Sequence, residues 1–177
     1  MPHRAGREYI FIMKKKLYIE TSVWNQLYQD DRPDFQEITE KFFLFSETGI
    51  YDLFISDYLF FELEKCEESK RKKLLRRIER VSPKVLSPDE ETEILMERYF
   101  EAGILEPAKA NRFYDAAHVA IASVNGIEYL LTFNYKHLLK IKRMDGFNGV
   151  NILNGYGEIR LITPEFFIPE ENHEKDS

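Results

Sequence analysis

Four short apolar runs of strand character, LYIE (17–20), YDLFIS (51–56), EYLLTF (128–133) and IRLIT (159–163), are separated by stretches whose apolar residues recur at helical spacing. Strands that alternate with helices imply a mainly parallel sheet, because consecutive parallel strands need a crossover long enough to hold a helix. The expected fold is a three-layer α/β sandwich with helices on both faces of the central sheet. A chain of 177 residues, 44% hydrophobic and 14% aromatic, can fill one such domain.

That domain is read as residues 13–168. Residues 1–12 form an N-terminal extension, either disordered or a start-site artefact ahead of Met13; YIFIM is too short for a signal-peptide core and no small-residue cleavage site follows it. Residues 169–177 are a polar tail. Thr21 and Ser22 are natural caps for a helix starting near Val23. Further helices are expected over 35–45, over 57–80 with a break near 67–69, and over 88–102, where Ser87 and Glu90 resemble a capping box. PKVLS (83–87) reads as a short edge strand. Pro107 leads into a helix that ends near Asn125 and is apolar nearly all round, hence buried. A short helix over 135–139 and a turn at Asp145 and Gly146 precede the last strand.

The formal charge of −6 disfavours a protein that coats nucleic acid through bulk positive charge, yet leaves room for a local basic face. The single cysteine, Cys66, is expected to be a buried structural thiol, and a reducing cytoplasm is the simplest compartment. No apolar stretch approaches the roughly 20 residues of a membrane helix.

Each of four distant segments ends or interrupts an apolar run with an acid or amide. Glu20 and Asn134 fall where strands stop, at the sheet edge where parallel sheets gather ligands. Glu62 lies on the apolar side of its helix between Tyr58 and Cys66, and Asp115 breaks an otherwise apolar helix near its positive end. Ionised carboxylates are costly to bury singly, so several in one cleft imply a compensating cation. Three carboxylates and an amide, with no thiolate, suit Mg2+ or Mn2+ better than zinc. Such an ion serves phosphodiester hydrolysis by activating water and neutralising charge on phosphate oxygens.

These segments resemble the PIN-domain nucleases, and among them the toxins of toxin–antitoxin pairs, over about residues 14–165. YIETS is similar to the opening acid with its Thr and Ser, SDYLFFELE to the segment of the second acid, DAAHVAIA to the third, LLTFNYKHL to the strand-ending Thr-aromatic-Asn segment, and GYGEIRLITPEFF to the closing strand. The resemblance implies a PIN-like sandwich and a Mg2+-dependent endoribonuclease, a metal-dependent hydrolase of RNA phosphodiester bonds. It implies Glu20, Glu62 and Asp115 as metal ligands, Asn134 as support for a metal-bound water, and Thr21 or Ser22 as residues that position the cluster. A homodimer and a small antitoxin partner are implied as well. The chain departs from the family at Glu20, where Asp is commoner, and at Asn134, where some members carry a fourth acid.

The alternative is a non-catalytic PIN-like domain that binds RNA or protein. A receiver-like or phosphatase-like protein ranks below both, since it requires a nucleophilic Asp at the end of the first strand. His118, one turn from Asp115, is read as packed or supporting, and His137 as a surface residue. Lys70, Lys72, Lys73, Arg76, Arg77 and Arg80 form a solvated helix face, with Leu74, Leu75 and Ile78 inward and RNA-backbone contact as the other reading. Trp24, Tyr28 and Phe35 are core or a self-association surface.

Overall fold

The computed structural model describes residues 13–106 and 110–170. The extension over 1–12, Pro107 and the tail beyond 170 lie outside the described residues. Five strands form the sheet: β1 (Lys15–Ile19), β2 (Tyr51–Ser56), β3 (Lys84–Leu86), β4 (Tyr129–Leu131) and β5 (Arg160–Ile162). Their order is β3-β2-β1-β4-β5, and every pairing is parallel. The chain moves outward from β1 in one direction through β2 and β3, then returns to the other side of β1 for β4 and β5. The order therefore reverses between β1 and β4, the place where an open parallel sheet leaves a crevice beyond its carboxyl ends.

The helices are α1 (Thr21–Gln26), α2 (Pro33–Ser46), α3 (Asp57–Leu63), α4 (Glu68–Val81), α5 (Glu90–Glu101), α6 (Ala110–Val124) and α7 (Ile141–Leu153), with a 3-10 turn at Pro164–Phe167. They sort the core into two layers. On one face Tyr18 packs with Tyr58, Tyr99, Phe147 and the apolar side of α6; on the other Leu17 and Ile19 pack with Trp24, Phe42, Phe43, Leu74 and Ile78. Leu17, Tyr18 and Ile19 are all fully buried. Burying each contributes roughly 2 kcal/mol. A slip of one residue would exchange their faces, so the register that delivers Glu20 to the crevice is firmly set.

The expected three-layer α/β sandwich is thus present, with an all-parallel sheet and PKVLS as its edge strand. Several local readings need correction. Glu20 itself, not Thr21 or Ser22, caps α1: its carboxylate accepts from the Ser22 backbone N–H. The capping box of α5 sits two residues later than expected, with Asp89 accepting from Thr92 N–H at 2.9 Å. No helix forms over 135–139; Leu138 and Leu139 both donate to the Asn134 carbonyl, and the segment stays a turn. Asp145 and Gly146 lie inside α7 rather than in a turn. A Cβ on Gly146 would stand 3.1 Å from Ile104 Cγ1, so the glycine serves a close helix–loop approach and not a chain reversal. Leu75 is 40% exposed and Cys66 only half-buried, because α4 turns just its Leu74–Ile78 side to the sheet and Cys66 lies in the turn after α3. Trp24 is wholly internal and offers nothing to self-association.

Candidate functional site

Glu20 follows the last residue of β1 and is buried at 5% exposure. Three donors converge on its Oε2: the Ser22 N–H at 3.1 Å, the Ser22 hydroxyl, and the Thr132 hydroxyl at 2.8 Å. Ser22 Oγ in turn accepts from Phe133 N–H at 2.9 Å, and Thr132 Oγ1 from Asn134 N–H at 3.0 Å. The ends of β1 and β4, neighbours across the reversal, are stitched together through one carboxylate oxygen. Charge-assisted bonds of this kind are about twice as strong as neutral ones.

Glu62 is brought in by α3, which starts directly after β2. Its Oε1 accepts from Thr21 Oγ1 at 2.6 Å and from His118 Nε2 at 2.5 Å. An ionised carboxylate can only accept, so Nε2 carries the hydrogen. His118 Nδ1 lies 2.6 Å from the Tyr18 hydroxyl, which also meets Ser56 Oγ at 2.6 Å. The neutral ring accepts at Nδ1 from Tyr18; the protonated ring donates there. Glu62, His118, Tyr18 and Ser56 thus form one chain of hydrogen bonds running from the crevice into the core. His118 is packed, as the sequence suggested, although its link through Tyr18 to β2 was not foreseen.

Asp115, 6% exposed, comes from α6. Asn134 Nδ2 donates to its Oδ1 at 3.0 Å and Arg112 Nη1 to its Oδ2 at 3.4 Å. The other end of the Asn134 amide accepts from His137 N–H at 2.9 Å. Both ends of that amide are therefore engaged in holding Asp115 and the turn. The structure joins the predicted residues into three linked clusters: Glu20 with Ser22, Glu62 with Thr21, and Asp115 with Asn134, the first and last bridged by Thr132. Glu20, Glu62 and His118 offer ligand atoms that all lie within 4.8 Å of one another.

Tyr18, Ser56 and Arg112 were missed as parts of the site, and Thr132 was noted only within the Thr-aromatic-Asn segment, with no role given. Thr132 had a signal, a hydroxyl ending an otherwise apolar strand. Arg112 had one too, a cation three residues before an acid on one helix.

The electrostatics show negative charge in excess. Burial, then the nearby Glu20, pushes the Asp115 carboxyl up to about 6 despite Arg112 and His118. Burial alone would depress the His118 imidazolium; its hydrogen bond to Glu62 and the charges of Glu62, Glu20 and Asp115 outweigh this and raise it. Burial likewise opposes the Glu62 charge, and His118 with Thr21 overcomes it, leaving Glu62 below its usual range.

These directions fix a pH dependence for the metal-free chain. Asp115 binds its proton more tightly folded than unfolded, so stability falls as pH rises from about 4 to 6, by on the order of 3 kcal/mol. His118, raised above 6.5, contributes stability below that pH and loses it as pH rises through its folded value. Glu62, lowered from 4.5, acts oppositely and only in acid, losing its contribution as pH falls. Chemical denaturation in EDTA should therefore give a lower unfolding free energy at pH 7.5 than at pH 5; a rise over that interval would show that Asp115 is not held among uncompensated charge.

No family model matches the chain, and no curated protein matches it. Among solved structures the chain is similar to the crystal structure of Mycobacterium tuberculosis VapC20, described as a Sarcin-Ricin loop cleaving toxin, with 16% identity and a TM-score of 0.47 over 81% of this chain and 98% of that one. Among the described residues, no helix is long and apolar enough to cross a membrane.

Proposed function

We propose that the chain is a divalent-metal-dependent endoribonuclease of the PIN-domain toxin type, with Glu20, Glu62 and Asp115 holding Mg2+ or Mn2+. The observation that carries this reading is the approach of Glu20 and Glu62, distant in sequence, to within 4.8 Å at the strand-order reversal of a parallel sheet, with Asp115, whose pKa burial raises, near enough for Glu20 to raise it further. The donor set fits such an ion: carboxylate oxygens, no thiolate, and an Asp115 whose raised pKa marks charge without a sufficient counter-ion. When bound, the ion would supply Lewis acidity toward a phosphate oxygen and a lowered pKa for water.

The chain's own residues set the orientation. Three donors fix Glu20 through Oε2, which leaves Oε1 to a ligand. Thr21 and His118 hold Glu62 through Oε1 in the same way. Asn134 turns Asp115 and keeps the loop after β4 in place. Supporting hydrogen bonds of this sort commonly account for ten- to a hundredfold in metal affinity. His118 is assigned to orientation rather than ligation, because its Nε2 hydrogen is committed to Glu62.

RNA is the substrate in this reading, and the family resemblance adds a homodimer and a small antitoxin. A groove of about 430 Å³ between α3, α5 and α6 supports a protein partner. Tyr58, Met96, Phe100 and the half-exposed Phe61 and Phe113 line it, and Glu93 and Glu97 stand at its rim. Apolar surface with an acidic border suits an amphipathic, basic segment.

The experiment is RNA cleavage by the purified chain with Mg2+ or Mn2+ and then with excess EDTA. Chelation is expected to reduce the rate at least about a hundredfold, and Mn2+ to restore it. An unchanged rate in EDTA contradicts the reading. The second reading, a non-catalytic domain that binds RNA or protein, is favoured by the His118–Glu62 and Arg112–Asp115 pairs, which offset two acids without any metal. Calorimetric titration with millimolar Mn2+ separates the two, since the non-catalytic domain gives no binding heat.

A further inference from the structure

Beside the acids, α6, the turn over 134–140 and the start of α7 bring four cations to one place. Arg112 is buried at 8% exposure, and its Nε has no hydrogen-bond partner among the described residues; Arg143, in the first turn of α7, is only half-buried, but its enclosed Nη1 also lacks one. A buried N–H without an acceptor costs about 1–3 kcal/mol, so two guanidinium groups in this state call for a ligand rich in acceptors. Chain geometry keeps them together. Arg112 is tied to Asp115, Asp115 to Asn134, and Asn134 to His137 N–H, while Arg143 N–H closes on the Lys140 carbonyl. Lys136 and Lys140 lie exposed on the connecting turn. One imidazole feels all four: burial, then Arg112, Lys136, Arg143 and Lys140, hold His137 below its ordinary range.

We propose that Arg112, Lys136, Lys140 and Arg143 form a binding subsite for an RNA backbone phosphate next to the acidic pocket. This deepens the nuclease reading and rests on it for the identity of the ligand. Arginine presents planar, paired donors that match phosphate oxygens, and the lysines add charge without fixed geometry. The subsite also answers a difficulty of a chain with net charge −6, whose acidic pocket repels the polyanion it must receive. Seated on α6 through Arg112, the phosphate would lie one helical turn from Asp115, so that its neighbour along the strand faces the acids.

The test is fluorescence anisotropy of a short labelled 2′-O-methyl RNA, which resists cleavage, titrated with the full chain in EDTA across a salt series. Arg143→Gln should reduce the slope of log affinity against log salt by about 0.7, and Lys136→Ala with Lys140→Ala by about 1.4. Arg112→Lys, which keeps the charge beside Asp115, should weaken binding about tenfold at fixed salt with little change in slope. Lys72→Ala with Arg76→Ala on the exposed face of α4 should leave the slope alone. The exposed lysine pair keeps the test decisive if an arginine variant unfolds, as checked by circular dichroism. Unchanged slopes in the Arg143 and lysine variants, an equal fall in the α4 pair, or no binding by the parent would each overturn the subsite. Because no metal is present, the outcomes separate cleanly: binding with these slopes but no Mn2+-dependent cleavage refutes the nuclease reading alone, and cleavage with unchanged slopes refutes the subsite alone.

Discussion

Asp115→Asn is expected to lower Mn2+-dependent RNA cleavage by about three orders of magnitude while the chain remains folded. The substitution is nearly isosteric, so the α6 packing that makes Ala116, Ala117, Val119, Ala120 and Ile121 fully buried is untouched. Asn134 can still donate to the remaining carbonyl oxygen. What disappears is one negative charge from a site where burial and Glu20 already hold the carboxyl near 6. In the metal-free chain at neutral pH the loss of that charge offsets the loss of the Arg112 partner, and no large drop in thermal stability should appear. Single-turnover cleavage and a melting curve on the same preparation check both halves. A variant that cleaves as fast as the parent removes Asp115 from the chemistry.

His118→Ala should produce the opposite profile, a large loss of stability. The imidazole is 1% exposed and bridges Glu62, Tyr18 and, at 3.3 Å, Thr21. Removing it leaves a cavity against Tyr18 and a carboxylate short of its charged partner. Glu62 retains 24% side-chain exposure, so water recovers part of that cost. The net loss is about 3 kcal/mol, equivalent to roughly 6–12 °C in melting temperature for a chain of this size. His118→Gln, whose amide can still donate to Glu62, should recover part of it. A fall under about 1 kcal/mol for the alanine variant would mean that the Glu62–His118–Tyr18 chain holds nothing in place.

The sheet and the acids were legible in the sequence for the same physical reason. A buried strand or helix tolerates few polar groups, so Glu20 after LYI, Glu62 between Tyr58 and Cys66, and Asp115 ahead of AAHVAIA stand out against their neighbours. Local patterning carries that information. Gly146 illustrates what it does not carry: beside Asp145 it reads as a turn, and only the approach of Ile104, over 40 residues away, shows why a helix keeps a glycine there. Asn134 stood out at the end of its strand, but the helix expected over 135–139 does not follow it, since its carbonyl is shared by two successive N–H groups and the turn does not propagate. Thr132 and Arg112 gain their roles from partners on other elements. A short-range reading sees a strand threonine and a surface arginine.

The central claim is that Glu20, Glu62 and Asp115 surround one hard cation beyond the carboxyl ends of β1 and β4. A crystal soaked in Mn2+ and measured for anomalous scattering at the manganese edge tests it directly. The account predicts a single strong peak within coordination distance of a carboxylate oxygen from each of the three acids. No peak at millimolar Mn2+, or one confined to surface carboxylates while Asp115 remains paired only with Arg112 and Asn134, would contradict it.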